Sequence, residues 1–367
     1  MEGNNFPSKN FSKFAEIVSE KYDGALITPG SNLFYLTGLN PKNVMERLFI
    51  FIVYPNKKTV LISPDLYKDN LKTDWIDKTI FWSDDDNPYN SLKKHLNKIY
   101  KKNGKLLIEN DMDASTLIKI QNFLKKFELI SLSDETKSLR VKKTDREIEY
   151  MKKAAEIVDD IFYELIERDL EGKTEKNIAA LIDYMIKKRE AEGPAFETIV
   201  ASGPNAANPH HSPSDKKLVP GELVIMDFGA RYKGYCSDIT RTVVIKECSD
   251  EARKVYNTVK KAQDKACNIA KKNIKVSTVD NAARDIIKQA KYGKYFTHRV
   301  GHGIGLDPHE NPYLGSSGET ILKNGMTFTI EPGIYIRGEI GVRIEDDMVI
   351  RGEGKRLTKA DRDLKII

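Results

Sequence analysis

The chain has 367 residues, 31% of them charged and 40% hydrophobic, and a net charge of +6 spread along its length. That length exceeds one ordinary core and predicts two domains of a soluble globular protein, while the lack of a dense basic block with interleaved aromatics excludes nucleic-acid binding. The polar start (MEGNNFPSKNFSKF) is no signal peptide, the longest apolar run (LFIFIVY, 48–54) cannot span a bilayer, and Cys236, Cys248 and Cys267 form no CxxC, so a reducing cytoplasm with no membrane partner is expected.

FSKFAEIVSEKY (11–22) carries apolar residues at helical spacing. GALIT (24–28), RLFIFIVY (47–54), TVLISP (59–64), TIFWS (79–83) and KLLIEN (105–110) read as strands between turn-rich connections. SLKKHLNKIYKK (91–102) is a lysine-rich helical stretch, in which His95 is expected to be a solvated surface residue. STLIKIQNFLKKF (115–127) reads as a further helix. This α/β layer has no GxGxxG turn and no phosphate loop, so nothing supports nucleotide binding.

A boundary falls near Leu139–Lys143, predicting domains at 1–140 and 141–367. Thr144 and Glu147 (TDRE) then form a capping-box pattern that opens a helix running to about Ile166. The second part contains an internal echo. GELVIMDFGARYKGYCSDITRTVVI (221–245) reads apolar strand, acid, turn, second acid, basic residue, apolar strand, and NGMTFTIEPGIYIRGEIGVRIEDDMVI (324–350) repeats it. Each follows a long helical region, at 145–166 and 251–271. Two hairpins of this kind are unstable alone, so they are expected to pack into one helix-backed sheet of a pseudo-symmetric domain, with the acids facing inward.

Those acids, Asp227, Asp238, Glu331 and Glu345, sit in or beside core-like strands, where lone carboxylates are costly. Two divalent cations would balance four such charges. Alternation along MTFTIE puts Met326, Phe328 and Ile330 on one face and Glu331 on the other, and along GVRIED it puts Arg343 and Glu345 opposite Val342 and Ile344. Cys236 stands two residues from Asp238 and is expected near the site without being a ligand. Oxygen donors with one imidazole, His302 in GHGIG, suit Mn²⁺, Co²⁺ or Zn²⁺ better than a closed structural zinc site. Each motif is weak singly, and the case rests on the set.

Together, SGPNAANPHHSP, MDFGARYKGYCSDITRT, HRVGHGIGLDPHE, FTIEPGIY and GVRIED resemble the pita-bread metallopeptidases, the family of prolidase, aminopeptidase P and methionine aminopeptidase. The first 140 residues are similar more loosely, through NLFYLTGLNP. The resemblance implies a mixed α/β (α+β) chain, with a creatinase/prolidase-like N-terminal domain ahead of a pita-bread catalytic domain. It implies Asp227, Asp238, His302, Glu331 and Glu345 as ligands of two divalent metals, with Asp238 and Glu345 bridging. Glu331 is then also the proton shuttle, and His210 and His309 contact the substrate and its tetrahedral intermediate. His298 and Arg343 become supporting substrate-side groups, Arg343 paired with a carboxylate, and His211 is left as structural.

The activity implied is hydrolysis of an Xaa-Pro bond by a bridging hydroxide, releasing the N-terminal residue from short peptides in a cytoplasmic homodimer. Strict dipeptidases of this type often carry an arginine soon after the HE pair. Here that segment reads HENPYL, with Tyr313 in its place, so longer Xaa-Pro peptides and dipeptides both stay open. Two alternatives remain: a non-catalytic binding protein on the same fold, disfavoured by the full ligand set, and hydrolysis of a different bond such as an organophosphate or another amide, for which nothing in the sequence selects.

Overall fold

The computed structural model describes residues 8–41, 44, 47–99, 104–125 and 127–367. The first seven residues, 100–102 at the end of SLKKHLNKIYKK and Lys126 in STLIKIQNFLKKF lie outside the described residues. The chain divides into two compact units, Met1–Arg140 and Val141–Ile367.

In the first unit the elements are α1 (Lys9–Lys21), β1 (Gly24–Ile27), α2 (Ser31–Thr37), β2 (Ile50–Val53), β3 (Thr59–Pro64), β4 (Lys78–Trp82), α3 (Pro88–Leu96), β5 (Gly104–Ile108), α4 (Ala114–Leu124), β6 (Phe127–Ser131) and α5 (Ser133–Arg140). They build a mixed sheet of order β4-β3-β2-β1-β5-β6. Its central strands are apolar without interruption because both faces are covered. Ala25, Ile27, Phe51 and Val53 join one core with Phe14 and Val18 of α1, while Leu26, Ile50, Ile52 and Val60 join another with Leu92 and Leu96 of α3. Ser8 caps α1 by accepting from the Phe11 N–H at 3.1 Å.

His95 departs from expectation. It is 2% exposed, and its Nδ1 meets the Tyr54 hydroxyl at 2.8 Å. Leu92, His95 and Leu96 share the buried face of α3 at helical spacing, whereas Lys93 and Lys94 take the solvent side. The lysines in the sequence mark only half of that helix.

The second unit contains α6 (Asp145–Ile166), α7 (Glu175–Lys188), β7 (Gly193–Pro194), β8 (Ile199–Ser202), β9 (Leu223–Phe228), β10 (Ala230–Tyr232), β11 (Tyr235–Cys236), β12 (Ile239–Val244), α8 (Asp250–Ile269), α9 (Val276–Gln289), β13 (Gly301–Gly303), β14 (Glu310–Leu314), β15 (Thr327–Ile330), β16 (Gly333–Ile336), β17 (Ile340–Arg343), β18 (Asp346–Arg351) and β19 (Glu353–Arg356). The capping box at Thr144 and Glu147 forms and opens α6. Each half of the echo proves to be two helices followed by a long antiparallel pair, β9/β12 or β15/β18, with a short hairpin between its strands. Helices α6 and α7 pack their apolar faces on β9 and β12, and α8 and α9 pack theirs on β15 and β18.

The two halves do not merge into one sheet. They remain separate sheets, β12-β9-β8 and β14-β13-β15-β18-β19, stitched where the Glu345 N–H donates to the Thr240 carbonyl at 3.1 Å. Each long pair already has an outer partner, β8 or β13, so the halves meet through the ends of β12 and β18.

Burial, with repulsion from Lys98, Lys78 and Lys94, lowers His95 from 6.5 to about 4. A histidine held neutral by folding contributes stability that is present in full above 6.5 and is lost as pH falls toward about 4. Thermal midpoints of the wild type should therefore decline through that window, and a His95→Asn variant, less stable at neutral pH, should show a flatter decline; parallel curves would reject the assignment.

Candidate metal centre

The strand pattern delivers the acids to one cavity of about 730 Å³, lined among others by Asp227, Asp238, Glu331, Glu345, His302, His210, His211, His298, His309, Arg299 and Arg343. Asp227 lies on β9 opposite Thr240, and Asp238 immediately precedes the return strand β12. Glu331 follows β15, and Glu345 immediately precedes β18. Each half thus contributes one acid at the end of its outgoing strand and one at the start of its return. Met326, Phe328, Ile330, Val342 and Ile344 point the other way, into the core.

His302 rides on β13, which presses against β15. A Cβ on Gly301 would stand 2.0 Å from the Thr329 carbonyl oxygen, which is why glycine precedes the histidine. The Nδ1 of His302 lies 3.1 Å from the Gly303 carbonyl, an acceptor only, so Nδ1 donates there and Nε2 is the ring nitrogen that faces the acids. Nε2 stands 3.2 Å from Glu331 and 3.9 Å from Asp238.

One oxygen each of Asp227, Asp238 and Glu345 is buried without a hydrogen-bond partner. Ligand atoms of Asp238, His302 and Glu345 lie within 4.8 Å of one another, the one such metal-ready cluster among the described residues. Asp227 and Glu331 share the cavity but stand outside that tight trio. Two of the opposite oxygens are anchored, since Arg343 donates to Asp227 and the Thr240 hydroxyl donates to Glu345 at 2.6 Å, while Asp238 is held through its backbone N–H, which donates to the Asp347 carboxylate at 2.9 Å. Burial, then repulsion among neighbouring carboxylates, pushes Asp238 and Glu345 well above the usual range. Asp227 is also raised by burial, with the Arg343 charge opposing. Burial acts on Glu331 in the same sense, but the hydrogen bond and charge of His302 overcome it and hold the group at about 2. Orphaned oxygens beside an imidazole nitrogen that faces them fit a divalent cation, which would take the place of the proton on that nitrogen.

Around these acids stands a second set. His298 donates from Nδ1 to the Arg299 carbonyl at 2.7 Å, so its Nε2 accepts from the Tyr335 hydroxyl at 3.0 Å, and that hydroxyl accepts from Arg343 at 3.0 Å. His298 is therefore tied down by protein. The ring of His309 stacks edge-on to His302 at 4.0 Å, and desolvation, with repulsion from His302 and Arg299, lowers it to about 4, neutral at pH 7. His210 and His211 both line the cavity, although Nε2 of His211 turns back to Glu175 at 2.8 Å. Cys236 is buried and contacts the Leu306 carbonyl instead of lining the cavity.

Tyr335, Thr240, Glu175 and Arg299 are the residues that sequence reasoning missed. Tyr335 sits in the quoted FTIEPGIY segment, four residues past Glu331, and even spacing along that hairpin was the available signal. The Arg299 guanidinium lies 4.2 Å over the Tyr313 ring, with no carboxylate partner among the described residues. A cation absent from HENPYL itself therefore stands beside Tyr313, carried by the segment just ahead of β13.

The model of Metallopeptidase family M24 matches residues 149–352, and that of the Creatinase/Prolidase N-terminal domain matches residues 14–142. An Xaa-Pro dipeptidase of Pyrococcus furiosus is 39% identical over 361 residues, 97% of this chain and 99% of that protein. The crystal structure of recombinant prolidase from Thermococcus sibiricus superposes with a TM-score of 0.96 at 45% identity, covering 100% of both chains. A dipeptidase from Pyrococcus horikoshii OT3 gives 0.93 at 47% identity, covering 98% of this chain and all of that one.

Because burial and mutual repulsion favour the protonated forms of Asp238 and Glu345, a cation competes with protons for their oxygens. Calorimetric titration with Mn²⁺ or Co²⁺ in buffers of different ionisation enthalpy should show proton release, and affinity should weaken as pH falls. An Asp238→Ala variant should lose affinity by on the order of 100-fold; wild-type affinity in that variant would rule out the site.

Proposed function

The chain belongs to metallopeptidase family M24, and from that premise we propose that it hydrolyses the Xaa-Pro bond of short peptides, with Xaa-Pro dipeptides its favoured substrates. The observation that carries this reading is the convergence of four acids and one imidazole, with orphaned oxygens, on one cavity. The names of its relatives, an Xaa-Pro dipeptidase and a prolidase, agree with it.

Asp227, Asp238, His302, Glu331 and Glu345 would hold two divalent ions, Mn²⁺, Co²⁺ or Zn²⁺ by donor chemistry. When bound, such ions activate water at neutral pH and polarise the scissile carbonyl. The protein supplies the rest. Glu331 takes a proton from the attacking water and passes it to the proline nitrogen as the C–N bond breaks, leaving a free carboxylate on Xaa and a secondary amine on proline. His309, neutral at pH 7, donates toward the developing oxyanion, and His210 contacts the peptide. Arg343 neutralises Asp227 and fixes its orientation, while Tyr335 holds His298.

A tertiary amide has no N–H to grip, so recognition of proline falls to shape. Phe196, Ile199, Pro209, Pro213 and Pro308 give the cavity an apolar wall suited to a pyrrolidine ring. Arg299 favours the dipeptide: its guanidinium lines the same cavity and lacks a carboxylate partner among the described residues, so it can take the C-terminal carboxylate of an Xaa-Pro dipeptide. Three unbridged cysteines accord with a cytoplasmic setting, and a homodimer follows from the family resemblance.

With Mn²⁺ or Co²⁺ added, Ala-Pro should be cleaved faster than Ala-Pro-Ala, and failure to cleave either would overturn the activity. Arg299→Ala should lower kcat/KM on Ala-Pro by about tenfold or more through KM, yet leave Ala-Pro amide little changed. Equal losses on both substrates would remove Arg299 from carboxylate recognition.

A further inference from the structure

Glu175, the first residue of α7, is fully buried, yet it does not line the cavity. Its Oε1 accepts from the Ser202 N–H at 2.7 Å, the Ser202 hydroxyl at 2.8 Å and the Asn205 amide at 3.0 Å. Its Oε2 accepts from His211 Nε2 at 2.8 Å, the Ser214 N–H at 3.0 Å, the Ser214 hydroxyl at 2.6 Å and the Asn205 amide at 3.2 Å. One carboxylate thus ties together both ends of the segment from Ser202 to Ser214. Burial alone would raise its pKa, but the hydrogen bonds from Ser214, His211, Asn205 and Ser202 prevail and hold it at about 2. The positive end of the α7 dipole acts in the same direction.

What lies between those ends is the part of the cavity wall that carries Pro209 and His210. The backbone N–H of His210 donates to the Asn208 side chain at 3.2 Å, and its imidazole has no protein partner among the described residues. On its other side the segment is backed by β17, where a Cβ on Gly341 would stand 1.7 Å from the Ala206 carbonyl oxygen. Arg343 reaches the Pro209 carbonyl at 3.4 Å. The segment is therefore clamped from two sides, with one free imidazole at its crest.

We propose that Glu175 is a positioning residue for the hydrolysis: it fixes the Ser202–Ser214 segment, partly by engaging the His211 ring, so that His210 is held ready for the peptide. This rests on the Xaa-Pro peptidase reading. Glu175 touches no reacting atom and acts through its neighbour. Substitution by glutamine keeps the volume but turns one acceptor oxygen into an amide donor facing donors.

The test is a double-mutant cycle with Glu175→Gln and His210→Ala on Ala-Pro hydrolysis, together with hydrogen exchange of the metal-loaded enzymes. Glu175→Gln should lower kcat/KM by about tenfold or more, at wild-type metal content. Combined with His210→Ala it should add little, because the position it secures is already empty. Backbone protection should fall in residues 203–213 and not in the neighbouring strands. Losses that multiply, wild-type kinetics in Glu175→Gln, or unchanged protection of that segment would each overturn the proposal. If the glutamine variant does not fold, Ser214→Ala, which deletes one hydroxyl donor, takes its place in the same cycle. A wild type inactive on every Xaa-Pro peptide would defeat the activity reading, and the exchange comparison would still decide the positioning.

Discussion

Uncompensated negative charge is the constraint around which the second unit is organised. Asp227, Asp238, Glu331 and Glu345 face one another in a cavity whose paired cation, Arg343, neutralises only Asp227. The fold does hold other cations close by, but they are engaged elsewhere. Arg241, 1% exposed, gives its guanidinium to Asp346 and to the carbonyls of Thr240, Glu345, Ala360 and Asp361. Arg356 and Gln263 also contribute to Asp346. One carboxylate, Asp346, is thus fully satisfied, while its neighbours in sequence and space keep orphaned oxygens. A buried polar group left unmatched is expensive, and a divalent cation removes that cost for several groups at once. The satisfied Asp346 network also fixes the strand ends that carry Asp238 and Glu345.

The two halves of this unit repeat each other in backbone but not in chemistry. Both present an acid at the end of an outgoing strand and another at the start of its return. Only the second half adds an imidazole through β13, and only its short hairpin adds Tyr335 and Arg343. The first half answers with the Ser202–Ser214 segment, which Glu175 clamps and which brings His210. The acids therefore sit near the symmetric middle, and the groups that would read a peptide are distributed unequally around them. An asymmetric substrate with a defined N-to-C direction calls for such a wall.

Several features were legible in the sequence because they are local. Alternation with period two put Glu331 and Glu345 opposite Phe328 and Val342, and the burial of those apolar residues agrees. The capping box at Thr144 needs only four residues of context, and it forms. The reason for the glycine ahead of His302 was not legible, because the Thr329 carbonyl that requires it lies in a distant strand. The lysines around His95 misled, because charge on one helical face says nothing of what packs on the other.

By itself, the sequence determined the two hairpin units that carry the acids, the faces on which Glu331 and Glu345 stand and the family whose motifs it carries, since all of these follow from patterns along the chain. Only the tertiary structure decided which distant groups meet. Glu175 reaches partners 27 to 39 residues away, Arg299 crosses to the Tyr313 ring, and the halves remain two sheets instead of one. Those pairings depend on packing and on where a donor finds its acceptor in space, and no periodicity along a single strand encodes that.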